Sequence, residues 1–210
     1  MARIGVIGSG SIGATAARLF AEAGHEIAIA NSRGPASLSN LVAALGPSVR
    51  ATDVAGAASF GELVLVAIPL HAYRNLPAEA MAGKIVIDAM NYYAGRDGRI
   101  EALEEDAIGS SELLAGHLRG ARVVKAFNTM YFETLARGAG GEAGGRLVLF
   151  LAGDDAEAKR AVAELIEEIG FEPVDTGSLS EGGRRQEPGS PIYNRPMRRE
   201  EAERALAELG

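Results

Sequence analysis

A glycine-rich turn near the amino terminus constrains the fold of this chain more than any other feature. Arg3–Ile7 is a short apolar run, Gly8–Gly13 (GSGSIG) follows at once, and Ala14–Ala23 has the small residues of a closely packed helix. Gly24 ends that helix, and His25–Ala30 is typical of a second strand. Strand, glycine turn, helix and strand within about thirty residues predict a βαβ unit.

The three glycines of this turn have the spacing G-x-G-x-x-G, and each has its own physical use. Gly8 permits the tight turn, Gly10 lets the backbone approach a pyrophosphate, and Gly13 lets the helix pack closely on the strand. The helix N-terminus adds free N–H groups and a partial positive charge. Because a strand precedes the turn and a helix follows it, the pattern predicts a dinucleotide site. The alternative is a tight turn that holds no ligand.

The end of the second strand indicates which dinucleotide binds. An NAD site usually has Asp or Glu there to accept from the ribose 2′-hydroxyl, whereas this chain has Asn31, Ser32 and Arg33. Ser32 can donate to a 2′-phosphate, and Arg33 can make charge-assisted contacts with it. We therefore predict NADP(H) rather than NAD. In the alternative interpretation, Arg33 is a solvated loop residue and Asn31 only caps the turn.

Strands and helices alternate through the rest of the chain. Further predicted strands are Leu63–Ile68, Lys84–Asp88, Ala121–Phe127, Arg146–Ala152 and Phe171–Asp175, and a strong amphipathic helix runs from Asp154 to Ile169. This alternation predicts an α/β fold, a Rossmann-type doubly wound and mostly parallel sheet with a short C-terminal β-α-β extension. Ligands then bind beyond the carboxyl ends of the strands.

A glycine-rich spacer, Gly138–Gly145, divides the chain into two predicted parts. Residues 1–140 form the dinucleotide-binding domain, and residues 141–210 form a small extension that completes the second half of the site. Within the extension, Ser180–Arg199 is rich in Arg, Gly and Pro and is predicted to be a loop, either ordered or mobile.

Composition excludes several classes of function. The chain has no cysteine, which removes disulfides, thiolate metal sites and thiol nucleophiles. The net charge of −7 argues against a nucleic-acid partner. The apolar run Leu63–Leu70 is far shorter than the ~20 residues that span a bilayer, and no secretory signal precedes the first strand. We expect a cytoplasmic protein without a membrane segment, and we find no metal-ligand spacing.

The residues that would react beside a nicotinamide are not evident. His71 follows a strand at its carboxyl end and could line the pocket or donate a proton, or could be a loop histidine near the ribose. Asp88 could be catalytic or could hold a neighbouring loop, and Lys125 could be catalytic, at an edge position or part of an ion pair. The catalytic residue stays unknown. Hydride transfer to a flavin-type ring needs stacking and distance more than a protein acid.

Taken together, the motifs resemble a known family. GSGSIG, NSR, AIPLHAY, VIDAMN, VVKAFNT and GDDAEAKRAVAELIEEIGFEPVDTGSL follow one another in the order seen in the NADP oxidoreductase, coenzyme F420-dependent family. This family includes F420H2:NADP oxidoreductases, and the reductase domain of the six-transmembrane metalloreductases is related to it. The resemblance covers about residues 2–180.

The resemblance implies roles for particular residues. Those expected to bind the cofactor, together with the residues already named, are Ser9, Ser11, Ile12, Ile68, Pro69, Asn91 and Ala126. Those expected on the side where a flavin or deazaflavin stacks are Phe127, Asn128, Thr129, Ser178 and Leu179. The family passes a hydride directly between the nicotinamide and the second ring, and it implies a homodimer.

The chain departs from the family pattern after Leu179. Where the archaeal enzymes have a hydrophobic helix that helps to enclose the deazaflavin, this chain has EGGRRQEPGSPIYNRPMRREE. The expected acceptor is therefore coenzyme F420 or a flavin such as FAD or FMN. Two alternatives are a reductase of a small imine or carbonyl compound and a non-catalytic module that senses NADPH. In the polar segment, Arg184, Arg185 and Arg195 could hold a phosphate or a polyglutamate tail, or could form a solvated basic loop.

Overall fold

An eight-stranded sheet forms the centre of the molecule, with the strand order β3-β2-β1-β4-β5-β6-β7-β8. The structure is a computed structural model that describes residues 1–138 and 145–209. The strands are β1 (Arg3–Ile7), β2 (Glu26–Ala30), β3 (Val49–Ala51), β4 (Leu63–Val66), β5 (Ile85–Asp88), β6 (Arg122–Ala126), β7 (Val148–Gly153) and β8 (Glu172–Asp175). The strands from β1 to β6 are mutually parallel, β7 is antiparallel to β6, and β8 is parallel to β7. The predicted fold class is confirmed.

Helices cover both faces of this sheet. The α-helices are α1 (Ser11–Glu22), α2 (Ser39–Leu45), α3 (Val54–Phe60), α4 (Ala78–Met81), α5 (Ala94–Asp97), α6 (Glu101–Glu104), α7 (Ser110–His117), α8 (Phe132–Arg137), α9 (Ala156–Glu168) and α10 (Arg199–Ala207). Short 3-10 helices occupy Pro35–Leu38 and Leu70–Asn75, and a π-helical turn occupies Leu179–Gly183.

The central strands are apolar on both sides because both sides are covered. Ile4, Val6 and Leu65 join a cluster with α1 and α9 on one face, while Val64 and Val66 join a second cluster with α3 and α7 on the other. All five side chains are fully buried. Each such burial contributes about 1.5–3 kcal/mol, which is why the strand sequences are nearly continuous apolar runs.

Side-chain caps set where two of the helices begin. The Asp53 carboxylate accepts from Gly56 N–H at 2.6 Å and starts α3. The Asp155 carboxylate accepts from Ala158 N–H at 2.7 Å, so α9 begins at Ala156 and not at the predicted Asp154. Asp154 instead accepts from the backbone N–H of Leu179 at 3.0 Å. That bond ties the start of the C-terminal segment to the end of β7.

The Arg-rich segment after Leu179 is hydrogen-bonded to the sheet region. Asn194 N–H donates to the Thr129 carbonyl at 2.8 Å, and Val148 N–H donates to the Met197 carbonyl at 2.9 Å. These bonds bring the segment back beside the carboxyl end of β6. The glycine-rich spacer falls largely on residues 139–144, outside the described residues, and the predicted domain boundary at 140/141 lies there too.

Candidate functional site

The carboxyl ends of five parallel strands meet along one edge of the sheet. These ends are Ile7 of β1, Ala30 of β2, Val66 of β4, Asp88 of β5 and Ala126 of β6. The strand order reverses between β1 and β4, and a crevice opens at such a reversal. Two cavities lie along this edge. We call them the β2 cavity and the β6 cavity after the strands beside which they lie.

The glycine turn at the end of β1 is held by backbone contacts. Gly8 has φ = +113°, and a Cβ there would lie 2.1 Å from the Ala67 carbonyl oxygen. A Cβ at Gly13 would lie 1.9 Å from the Gly8 carbonyl oxygen. At Gly10, the residue before α1, a Cβ would meet nothing within 4 Å. Gly8 and Gly13 are therefore required by packing, and the open space at Gly10 leaves the backbone accessible to a ligand.

The β2 cavity encloses about 480 Å³. Its lining residues are Ile7, Gly8, Ser9, Gly10, Asn31, Ser32, Arg33, Val54, Ala67, Ile68, Pro69, His71, Ala72, Asn75 and Leu76. None of these carries a carboxylate, and within the described part of the chain no carboxylate forms a salt bridge with Arg33. The cavity therefore suits an anionic group.

Asn31 organises the loop at the end of β2. Its side-chain oxygen accepts from Arg33 N–H at 2.9 Å, and its amide donates to Ser9 Oγ at 3.1 Å and Ser37 Oγ at 3.0 Å. Asn31 thus links this loop to the glycine turn. Ser32 and Arg33 are exposed at the cavity, so their side chains are available to a ligand.

His71 reaches the β2 cavity from the 3-10 helix after β4 and is held by Asp97. The Asp97 carboxylate accepts from the His71 backbone N–H at 3.2 Å and lies 3.1 Å from His71 Nδ1. It also accepts from Tyr93 N–H at 2.9 Å and from Arg96 at 2.8 Å. Burial alone would raise the pKa of Asp97, but the hydrogen bonds from Arg96, Tyr93 and His71 hold that pKa well below its ordinary value.

The β6 cavity encloses about 340 Å³ and meets the β2 cavity at Gly10, Ala67, Ile68 and Pro69. Its other lining residues are Ser11, Ile12, Ala89, Met90, Asn91, Tyr93, Arg96, Asn128, Met130, Tyr131, Phe132, Tyr193 and Asn194. The chain has five tyrosines, and three of them line this cavity. The shared residues make the two cavities neighbours, with Arg33 and His71 in the β2 cavity and three tyrosines in the β6 cavity.

A hydrogen-bonded network forms one wall of the β6 cavity. Asn91 Nδ2 donates to the Asn128 carbonyl at 3.0 Å, and Asn128 Nδ2 donates to Asn91 Oδ1 at 3.1 Å and to the Gln186 carbonyl at 2.7 Å. Asn128 Oδ1 is buried and has no hydrogen-bond partner among the described residues. A buried acceptor without a partner costs about 1–3 kcal/mol, and Asn128 is a lining residue of the β6 cavity.

Two tyrosine hydroxyls extend this wall. Tyr93, in the segment after β5, and Tyr193, in the Arg-rich segment, are hydrogen-bonded to each other through their hydroxyls. Asn91 Nδ2 also lies 3.4 Å from the Tyr193 hydroxyl. Burial, followed by the hydrogen bond with Tyr93, raises the pKa of the Tyr193 hydroxyl above its ordinary value.

The structure brings together most of the predicted cofactor residues and one of the predicted acceptor residues. Of the acceptor set, Asn128 lines the β6 cavity. Phe127 is fully buried and packs edge-to-face on Phe20, and Leu179 is buried in a core cluster. Thr129 and Ser178 also lie outside the lining of both cavities. Ala126 is buried at the end of β6.

Asp88 and Lys125 form a buried ion pair beneath the β6 cavity. They are register partners in β5 and β6, both side chains are fully buried, and Lys125 Nζ lies 4.0 Å from Asp88 Oδ2. Lys125 also donates to Ser110 Oγ at 3.0 Å and Ser111 Oγ at 3.1 Å, and Asp88 accepts from Met90 N–H at 2.9 Å. The structural interpretations of both residues, loop support and ion pairing, are confirmed.

Sequence reasoning missed the aromatic side chains of the β6 cavity. Tyr93 and Tyr131 follow the carboxyl ends of β5 and β6, so the rule that places ligands there could have found them. Tyr193 lies in the Arg-rich segment, and no local pattern indicates that it returns to the cleft. Arg184 of that segment pairs with Asp106 at 2.8 Å and Glu112 at 3.7 Å, so it serves the scaffold.

Two features that residues 1–138 and 145–209 lack bear on the kind of site. Across these ranges no helix is both long and apolar enough to cross a bilayer. In the same ranges no three His, Cys, Asp or Glu side chains gather as a metal ion would need.

Comparison with protein families gives a match to the first part of the chain. A family described as NADP oxidoreductase, coenzyme F420-dependent matches residues 3–92, a shorter stretch than the resemblance led us to expect. Among curated proteins, the metalloreductase STEAP3 of Rattus norvegicus is 42% identical over 71 residues. That alignment covers 34% of this chain and only 14% of the metalloreductase, so the two share one segment of a much longer protein.

Two solved structures align over most of this chain. A hypothetical protein from Sinorhizobium meliloti is 36% identical with a TM-score of 0.83, and the alignment covers 94% of this chain and 95% of that one. A proposed F420-dependent NADP-reductase from Arthrobacter sp. FB24 is 29% identical with a TM-score of 0.71, covering 85% of this chain and 86% of that one. The fold, including its C-terminal part, is therefore shared with whole chains of similar length.

Proposed function

Residues 3–92 match the NADP oxidoreductase, coenzyme F420-dependent family, and from that match we propose that the chain transfers a hydride between NADP(H) and a flavin-type acceptor. The acceptor candidates are coenzyme F420, FAD and FMN. The family match supports an NADP-dependent oxidoreductase, and the choice of acceptor is the proposal.

The observation that carries this proposal is that the two cavities adjoin. The β2 cavity, which contains Arg33, and the aromatic β6 cavity share Gly10, Ala67, Ile68 and Pro69. A dinucleotide that lies across this junction would have its adenosine in the first cavity and its nicotinamide at the entrance of the second. A planar acceptor in the β6 cavity would then lie beside the nicotinamide, as direct hydride transfer requires.

The β2 cavity fits NADP(H) in charge and shape. The open backbone at Gly10 and the free N–H groups of α1 would hold the pyrophosphate. Ser32 and Arg33 would bind the 2′-phosphate, because no carboxylate lines the cavity to repel it. Ile68 and Pro69 would form the wall beside the adenosine and ribose, with His71 close to the ribose. Ser9, Ser11 and Ile12 would complete the contacts along the turn.

The β6 cavity fits the nicotinamide and a second ring. Asn128 Oδ1, buried and lacking a partner among the described residues, would accept from a ligand N–H. Tyr131 and Phe132, whose ring centroids are 4.8 Å apart, would form an apolar wall for a planar ring. Of the five predicted acceptor residues, we keep Asn128 as a side-chain contact, since Phe127, Thr129, Ser178 and Leu179 do not line the cavity.

A second candidate function is reduction of a small imine or carbonyl compound. The hydroxyls of Tyr93 and Tyr193 favour it, because they place hydrogen-bond donors beside the expected position of the nicotinamide. Such a substrate gains a proton with the hydride, and a positioned acid assists that step. The two candidates share the cleft and differ only in the acceptor.

The acceptor is tested by an oxidation screen. NADPH absorbance is followed by stopped flow with coenzyme F420, FAD, FMN, a cyclic imine and a ketone, each supplied separately. Rapid oxidation by one of the three flavin-type compounds supports the proposal. Oxidation by the imine or ketone alone supports the second candidate. A protein that binds NADPH tightly and oxidises it with none of the five is a sensing module.

The cofactor preference is tested at Arg33. We expect R33A to lower the affinity for NADPH about 30-fold while leaving NADH binding unchanged, since a hydrogen bond to a charged group contributes about 1.5–3 kcal/mol. R74A is the matched control, because Arg74 is exposed and lies outside both cavities. A ratio of NADPH to NADH dissociation constants that R33A does not alter would contradict the assignment.

Two further expectations stay predictions. The family resemblance implies a homodimer, and light scattering of the purified protein tests it. A cytoplasmic location is likewise untested, and cell fractionation tests it.

A further inference from the structure

The two hydroxyls of Tyr93 and Tyr193 leave one proton without a protein acceptor. Each tyrosine hydroxyl carries one proton and can accept from two donors. The bond between the two hydroxyls uses one of the two protons. Within residues 1–138 and 145–209, the other polar groups at either hydroxyl are Asn91 and the Asn194 side chain, whose hydrogen bond lowers the pKa of Tyr193, as a donor does. Whether Asn91 donates or accepts therefore decides what happens to the second proton.

The orientation of Asn91 is set by backbone carbonyls, so Asn91 can only donate to Tyr193. Asn91 Nδ2 lies 3.0 Å from the Asn128 carbonyl oxygen, which accepts and cannot donate. Asn91 Oδ1 accepts from Asn128 Nδ2 at 3.1 Å. Asn128 is oriented in turn by its donation to the Gln186 carbonyl at 2.7 Å. The group that faces Tyr193 is therefore the Asn91 NH₂, at 3.4 Å.

The second proton consequently faces the β6 cavity or the solvent at its mouth. Both tyrosines line that cavity, and Tyr93 is 39% exposed. Tyr193 is half-buried. A proton that leaves Tyr193 toward a ligand can be replaced from Tyr93, and Tyr93 can recover its own from water. This arrangement connects the inside of the cavity to solvent through two hydroxyls.

We propose that Tyr193, supplied through Tyr93, is the residue that donates the proton which accompanies hydride transfer in the β6 cavity. The inference rests on the proposed function, because it takes the nicotinamide to lie at the junction of the two cavities. It adds a substrate class to that function: the acceptor has a basic nitrogen or oxygen at the Tyr193 hydroxyl.

The proposed transfer conserves electrons and protons. NADPH gives up one hydride, which carries two electrons, and becomes NADP⁺. The acceptor forms one bond to that hydride and one N–H or O–H bond to the Tyr193 proton. The Tyr193 O–H bond breaks and is restored from Tyr93, which takes a proton from water. The acceptor thus gains two electrons and two protons in total, as the reduction of a flavin, deazaflavin, imine or carbonyl requires.

The surroundings of Tyr193 keep the hydroxyl protonated until the acceptor is reduced. Burial and the bond with Tyr93 raise the pKa of Tyr193, so the neutral donor form is present at ordinary pH. The Arg96 guanidinium lies 4.9 Å from the centre of the Tyr93 ring. Arg96 also donates to the backbone carbonyl of Asn91 at 2.7 Å, which holds the segment that carries Asn91 and Tyr93 in place.

The test compares Y193F and Y93F with the full-length wild-type protein. We expect Y193F to slow hydride transfer about 100-fold, the usual range for removal of a general acid, and to abolish the solvent isotope effect on that step. Y93F slows it less, about tenfold, because Tyr193 keeps its own proton. The dissociation constant for NADPH changes less than about twofold in both. Y92F is the matched control, since Tyr92 bonds Glu104 and the Gly98 carbonyl outside the cavity.

A second readout needs no turnover. The affinity of the NADP⁺-bound protein for each oxidised acceptor of the screen is measured by fluorescence, and Y193F should weaken the acceptor that binds about tenfold. Y193F that keeps the wild-type rate, isotope effect and acceptor affinity overturns the inference and leaves the proposed function intact. A wild-type protein that neither oxidises NADPH with any acceptor nor binds one overturns both.

Discussion

The two halves of the cleft are built in different ways. The β2 cavity depends on backbone contacts within the first 76 residues, with a glycine turn that lies against Ala67 and a loop organised by Asn31. The β6 cavity depends on side chains from three distant segments, which contribute Asn91, Asn128 and Tyr193. The first half is therefore a local structure that a short sequence motif specifies, and the second exists only after the whole sheet has formed.

The largest loss of stability is expected from breaking the buried ion pair between Asp88 and Lys125 beneath the β6 cavity. K125M removes one partner of the Asp88–Lys125 pair and leaves a fully buried carboxylate, which costs about 3–5 kcal/mol of unfolding free energy. Denaturant unfolding measures it. The matched control is K159M, because Lys159 pairs with Asp175 where the two side chains are 21% and 50% exposed, so water still reaches the pair and the change should cost about 1 kcal/mol.

The double variant D88N/K125M separates charge from packing. If the uncompensated carboxylate causes the loss, the double variant recovers part of the stability that K125M loses. Equal stability of the single and double variants would show that packing of the lysine side chain, and not its charge, supports this half of the cleft.

The fold and the β2 half of the cleft could be predicted from the sequence, because they depend on residues that are close together in the chain. The strands, the helix after Gly10 and the loop from Asn31 to Arg33 depend on residue types close together in the chain, and the predicted fold is confirmed. The bond between Tyr93 and Tyr193 joins residues 100 positions apart. Tyr193 reaches the cleft because the neighbouring Asn194 N–H donates to the Thr129 carbonyl. No sequence pattern around Tyr193 indicates this long-range bond.

The next largest effect is expected in the glycine turn of the β2 half. One alanine substitution there should lower stability, and another should lower NADPH affinity. G8A places a methyl group 2.1 Å from the Ala67 carbonyl at a φ of +113°, and the clash and strain together cost about 3 kcal/mol. G10A meets nothing within 4 Å, so it should change stability by less than about 1 kcal/mol. Its methyl group would nevertheless stand where a pyrophosphate approaches, and NADPH affinity should fall about tenfold.

Thermal unfolding and NADPH titration of these two variants distinguish the roles of the two glycines. A folded G8A with normal stability would mean that the turn can relax away from β4. A G10A that binds NADPH as tightly as the wild type would place the pyrophosphate elsewhere and weaken the proposed function.

The smallest loss of stability is expected from substitution of Asp97. Its carboxylate accepts hydrogen bonds from His71 at the β2 cavity and from Arg96 at the β6 cavity, and so connects the two halves. The pKa of Asp97 is lower in the folded protein than in the unfolded chain. Its stabilising contribution is therefore present above the unfolded pKa of about 3.9 and is lost as the pH falls below that value. D97N should cost about 1–2 kcal/mol near neutral pH.

The pH dependence of this difference is the decisive measurement. The gap in unfolding free energy between wild type and D97N should narrow as the pH falls below about 4, because the carboxyl of the unfolded wild-type chain then takes up a proton, whereas the lowered pKa keeps that of the folded protein ionised. E62Q is the control, since Glu62 pairs with Arg3 at an exposed position and should show almost no gap at any pH. A D97N gap that stays constant with pH would mean that Asp97 acts through packing alone, and that the two halves of the cleft are joined by the shared backbone at Gly10 and Pro69 rather than by its charge.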